Sequence, residues 1–415
     1  MTTTIEDIYR PLALTARFLV QCWPQLLLVG CLGMIARDLL LQGAVTVGLQ
    51  FPLGGMVILS LVVLAKLTVL VMMFVVLRPH MPAVAALRQK AKKGADETKR
   101  EPILAITAAA ILPFFAYYAA WGFLGDTVRE YSRMALAQAE LGKSVDIFAI
   151  LQSSGVVLSI VICWLVRFAA KRLNARASHP YWRLLIVATD ATWVFIGLYA
   201  LGEWKDQFIR WLGAGAALQQ LSLDLLAPVT SAAAADQFVP AEFRPLPFGE
   251  QLQNLFFFAL LPIVWLVMAA IINGYELSAP APGPAPLRTT SWQRWLKDFA
   301  THFVGGYRSR YSPVWTCLKL TLSAGLATLV TFVIAYQAIS WVGAWMWYGL
   351  TRLIGAHDLA TWQIFADTIS LFIGSPSDLD GGILLDAVRV ALLAAVLETA
   401  VATAGEASGV RSAVR

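Results

Sequence analysis

Apolar residues in this chain come in long runs, not in alternation. Runs near twenty residues recur, the length of a helix that crosses a bilayer, and short stretches between them collect the charges, prolines and glycines. Eight runs predict eight helices, roughly 16–35, 55–77, 102–124, 147–168, 183–202, 252–274, 315–341 and 383–402. The expected fold is all-α, a polytopic transmembrane helical bundle forming one domain over 1–415. The eighth run is the least apolar, because Asp386, Arg389 and Glu398 fall inside it. One more apolar segment, 358–374, is short and contains Asp367. It is expected to be re-entrant or interfacial; if it spans, the C-terminal topology changes. Pro113 and Pro262 lie inside the third and sixth runs, where each removes a backbone hydrogen bond and kinks its helix.

Composition agrees with the runs. The chain is 58% hydrophobic and 14% charged, against about 25% charged in a soluble domain. The N-terminus MTTTIEDIYRP carries acids, and no small-residue cleavage site follows a short apolar core, so the first helix is expected to serve as an uncleaved anchor. Cys22, Cys31, Cys163 and Cys317 all lie in apolar runs outside any CxxC or Cys/His cluster and read as small apolar residues. His80, His179, His302 and His357 are scattered, so no metal site and no cofactor are expected.

Charge gives an orientation. With the N-terminus inside, the inner segments hold 22 of the 32 Lys and Arg residues, the bias expected of a cytoplasmic face. Both termini are then cytoplasmic. The net charge of +6 is mostly this bias and makes no case for nucleic acid. Trp341, Trp345, Trp347 and Tyr348 read as an aromatic belt at the outer end of the seventh helix. The outer loop 203–250 is the longest. On the inner side, a Pro-rich spacer, 278–286, precedes an amphipathic stretch, 291–304. There Trp292, Trp295, Leu296, Phe299 and Phe303 share one helical face, the pattern of a helix lying in the interface. Its expected roles are an elbow for the next helix, or a docking surface for lipid or a membrane-protein partner.

Charges inside apolar runs are costly, about 3 kcal/mol or more at mid-bilayer. Lys66 sits between MVILSLVVLA and LTVLVMMFVVL. Asp190, in LLIVATDATWVFIG, lies at a comparable depth and is its expected counter-charge. Such a pair either fixes the packing of a bundle or relays protons or ions. Asp386 and Arg389, three apart, face each other on one helix, and Glu398 is placed to meet Lys319 across a hairpin.

No GxSxG, HExxH, Walker or GxGxxG motif stands in its required context. Two weaker patterns remain. Asp38 follows Arg37 just beyond the first predicted helix, either as an interfacial pair closing that helix or as the outer acid of a transferase that uses polyprenyl-linked sugars. Asp378 and Asp380 form a D-x-D before Gly-Gly, read as a turn or as a divalent-cation site.

The segments ARFLVQCWPQLLLVGCLGMIARDLLL (16–41), LRP (77–79) and ILPFFAYYAAWGF (111–123) resemble uncharacterised polytopic integral membrane proteins of high-GC Gram-positive bacteria. That resemblance implies the bacterial plasma membrane and a helical bundle, and it carries over no catalytic residue. The leading expectation is a non-enzymatic accessory or scaffold subunit in envelope biogenesis or export. The alternatives are a secondary transporter or lipid translocator built on Lys66 and Asp190, and a lipid-linked sugar transferase.

Overall fold

The computed structural model describes residues 2–86, 114–115, 123–138, 153–176, 181–182, 184–197, 248–274, 325–374 and 382–413. The helices there are α1 (Thr2–Gln50), α2 (Pro52–Leu77), α3 (Phe123–Gln138), α4 (Ser153–Arg176), α5 (Leu184–Gly197), α6 (Phe248–Gly274), α7 (Leu326–Ile354), α8 (Leu359–Ile373) and α9 (Ile383–Ala413). Among the described residues there is no strand. Among the described residues three stretches are long and apolar enough to cross a membrane: Ile8–Gln50, Pro52–His80 and Leu326–Ile354.

α1 corrects the sequence reading most. A helix ending near residue 35, with Arg37 and Asp38 beyond it, was expected. Instead α1 continues unbroken to Gln50. Nothing after Arg37 stops a helix until Pro52, and Arg37 is neutralised from both sides. The chain turns at Phe51 alone, with Pro52 opening α2 at a position that needs no amide hydrogen.

The two helices then run antiparallel in constant register. Gly33 packs on Val69, and Cys22 meets His80; within each pair both residues are equally far from Phe51. At the tip, Gly48 and Gly55 bring the backbones together: a Cβ on Gly55 would sit 2.6 Å from Gly48 Cα. The Tyr131 ring of α3 fills the space over both glycines. This burial keeps the Tyr131 phenol above its ordinary pKa, hence neutral.

α9 is the centre of the bundle and packs on α1, α2, α6, α7 and α8. Residues 390–401 are buried on every side. Alanine at 391, 394, 395 and 400 is what lets so many neighbours approach. Phe114 and Phe115 reach the same core, edge-on to Trp265 of α6 and Phe195 of α5 respectively.

α7 begins after Gly325 and runs on to Gly355, whose φ of +80° ends it. Trp341, Trp345, Trp347 and Tyr348 therefore lie within the helix, not past its end. The segment 358–374 forms α8, a helix of 15 residues. That is about 22 Å at ~1.5 Å per residue, short of the ~30 Å hydrocarbon core. Asp358 caps it, accepting from Thr361 N at 3.1 Å and Thr361 Oγ1 at 2.7 Å, and these bonds hold its carboxyl below the ordinary range. α6 passes through Pro262 without ending. Pro113, most of the 203–250 loop, and the segments 278–286 and 291–304 lie outside the described residues.

Candidate functional site

Polar side chains gather in four places along the bundle. The first lies between α4 and α5. Arg167 Nε approaches Asp190 Oδ1 at 2.7 Å, with the two side chains 19% and 16% exposed. It is an ion pair without an aligned hydrogen bond. Trp193 Nε1 donates to the same oxygen at 3.4 Å. Ser60 and Thr192 hydroxyls, buried and 2.8 Å apart, tie α5 to α2. Lys66, partly buried on α2, and Asp190 both lie within two helical turns of that bond. Arg167 is the partner that the sequence reading missed. It was assigned to the cytoplasmic edge of a helix ending at 168, whereas α4 runs on to Arg176 and places it well inside.

The second is Arg37, which reaches Asp38 at 3.2 Å and also closes on Glu130 of α3. Asp38 is thus a helical residue beside its own counter-ion, not an acid on an outer loop.

The third is at the end of the hairpin away from Phe51. Arg78 Nη2 donates to Ile272 O at 2.9 Å and Nε to Asn273 Oδ1 at 3.3 Å, so a cation closes the C-terminus of α6. Glu398 accepts from the backbone amides of Ala83 at 2.5 Å and Val84 at 3.0 Å. It caps the short helix opening at Pro82 from across the bundle. Lys319, its expected partner, lies outside the described residues. Buried Cys22 faces exposed His80, Sγ to Nδ1 3.4 Å.

The fourth lies where α8 gives way to α9. Ile373 ends α8 against Gly343 of α7, 3.8 Å from a Cβ built there, and Leu385 in the first turn of α9 packs on the same glycine. Gly382 rests on the backbone of residues 372–374. α8 therefore returns along the C-terminal part of α7 as far as Gly343, and α9 continues along its N-terminal part, where Arg389 meets Ser340 and Tyr336. Together they form one interrupted helix antiparallel to α7. Just past the interruption, Arg389 Nη1 donates to Asp386 at 3.2 Å and Nη2 to Ser340 Oγ at 3.0 Å. The guanidinium also lies 5.6 Å from the Tyr336 ring centroid. Its Nε is buried and meets no acceptor among the described residues. Asp378 and Asp380 fall in 375–381, outside those residues.

Among the described residues no three His, Cys, Asp or Glu side chains converge as metal ligands. No family model matches the chain, and no curated protein or solved structure is similar to it.

Proposed function

We propose that this chain is a multi-pass protein of the bacterial plasma membrane, with both termini cytoplasmic, whose bundle translocates a small polar solute or a lipid headgroup. The observation that supports it is the interrupted helix α8–α9 with Asp386 and Arg389 at its break. Irregular backbone at membrane depth is tolerated only where it is buried in protein or lines water. Broken helices facing such a space are a recurring means of binding cargo midway through a membrane. Counted as one crossing, α8–α9 keeps the number of crossings even. The basic residues then stay on the side of the N-terminus.

The accessory-subunit reading is favoured by a different observation: charges such as Arg167, Asp190 and Glu398 are held by partners within the chain, as in a rigid scaffold. Reconstitution separates the two. Vesicles loaded with a pH dye, and others carrying a fluorescent phospholipid, are compared with and without the protein under imposed Na⁺ or K⁺ gradients. Translocation gives dye response or lipid scrambling above empty vesicles, and it is lost in a folded Asp386→Asn/Arg389→Gln variant. A protein silent in both assays that co-purifies with a fixed neighbour is an accessory subunit.

A further inference from the structure

We infer that copies of this chain join head to tail in the membrane through α7 and α8, with Arg352 of one copy paired to Asp367 of the next. This rests on α7 crossing the membrane, and not on what the bundle carries.

The two charges stand on outward faces. Trp347, Leu350 and Ile354 of α7 pack with Ile369 and Ile373 of α8. At about 100° per residue, Arg352 lies on the far side of α7 from those contacts, and Asp367 on the far side of α8. Both are exposed. Arg352 ends an aromatic ladder on its face: Trp341 and Trp345 have ring centroids 5.8 Å apart, Trp345 and Tyr348 5.7 Å.

Neither charge is satisfied within its own copy. The guanidinium lies 5.3 Å from the Tyr348 ring centroid, and its five N–H donors meet no acceptor among the described residues. Asp38, Asp190, Asp358 and Asp386 are each held by a partner in the chain. The Asp367 carboxylate meets no cation or donor among the described residues.

Their levels match. Ile373 stands at Gly343, and the helices run antiparallel. Asp367 is six residues from Ile373, and Arg352 nine from Gly343, toward the same end. That is about 9 Å and 14 Å at ~1.5 Å per residue, a difference of about 5 Å, within the reach of an extended arginine. Copies inserted in one bilayer share orientation and depth, so the match holds between copies.

The signs select the contact. A two-fold contact through α7 sets Arg352 against Arg352, and one through α8 sets Asp367 against Asp367. Only the α7 face against the α8 face pairs opposite charges. Because the two faces point apart, two copies cannot make both contacts with each other. The contact therefore repeats about the membrane normal and closes into a ring. Lipid already solvates the aromatic ladder, so polar side chains carry the association. Asp367 lies about 14 Å from the level of Ser340, the middle of α7. That is the edge of a ~30 Å core, where an ion pair is screened less than in bulk water.

Single-molecule photobleaching of the full-length chain, with one fluorophore per copy, counts copies in vesicles at low protein-to-lipid ratio. Three or more steps are expected for the wild type. Arg352→Glu and Asp367→Arg should each reduce this to mostly one step, with the melting temperature unchanged because both side chains are exposed. Arg352→Glu/Asp367→Arg in one chain should restore the wild-type count. The two single variants, labelled in different colours and mixed, should co-assemble, since each supplies the sign the other lacks. A wild type that bleaches in one step refutes the assembly, and one fixed at two steps refutes the head-to-tail contact. Single reversals that leave the count unchanged, or opposite reversals that restore nothing in either format, show that Arg352 and Asp367 do not meet.

Discussion

Removing Asp190 alone leaves the Arg167 guanidinium largely buried without its carboxylate, and breaking such a pair costs about 3–5 kcal/mol. Replacing both residues by apolar ones of similar size is often neutral or stabilising. Asp190→Leu is therefore expected to lower the melting temperature of the detergent-solubilised protein sharply. Arg167→Met/Asp190→Leu should recover most of the loss, and Lys66→Met/Asp190→Leu should not. Equal recovery by the Lys66 double variant would mean that Lys66 shares the Asp190 carboxylate. What could be read at this scale was that Asp190 needs a cation. That Arg167 is such a cation depended on where α4 stops, and the run WLVRFAAKRL gives no stop signal at Arg167.

Element boundaries show the same division. The runs of apolar residues located α2 and α6, and the starts of α5 and α9, to within a few residues, because burial and length are written in composition. They misplaced both ends of α1 and α7 and the C-terminal ends of α4 and α9, because charges were treated as boundaries in α1 and α4 and aromatic residues as an interface in α7. A helix has no need to end at either. Glu398 was legible as a buried acid but not as a cap, since its partners are main-chain amides more than three hundred residues earlier. Glu398→Ala should leave the Ala83 and Val84 amides without an acceptor and cost about 1–3 kcal/mol. Glu398→Gln keeps an acceptor but loses the charge that favours a helix N-terminus, so a smaller loss is expected. Amide exchange over 82–86 checks this: it should speed up markedly in Glu398→Ala, less in Glu398→Gln, and stay unchanged over α7. Uniform loosening of the whole bundle would mean that Glu398 acts in packing and not as a local cap.

For the molecule as a whole, the length of the α1–α2 hairpin decides where a membrane can sit. Ile8–Gln50 is 43 residues, about 65 Å at ~1.5 Å per residue. Even at a tilt of roughly 40°, the upper end of the usual range, it projects about 50 Å. A hydrocarbon core is ~30 Å thick, so part of the hairpin must stand outside it. The exposed apolar strip Val20, Trp23, Leu28, Leu32, Ile35 and Leu39 is about 28 Å long on the same rise, matching that thickness. Arg17 lies just before one end and Asp38 beside Leu39 at the other. Lys66 lies level with Ala36, since both are fifteen residues from Phe51. That level is about 5 Å from Leu39 on the same rise, near the Asp38 end of the strip, where a charge costs less than at mid-bilayer. Counting depth along α2 alone puts Lys66 in the middle; its level against α1 places it nearer the Asp38 end of the strip. Spin labels at Leu28→Cys and Leu49→Cys measure this directly. Position 28 should be relaxed more by oxygen than by a water-soluble nickel chelate, and position 49 the reverse. If position 49 also favours oxygen, the hairpin tip is immersed, the strip does not mark the membrane, and Lys66 returns to its interior.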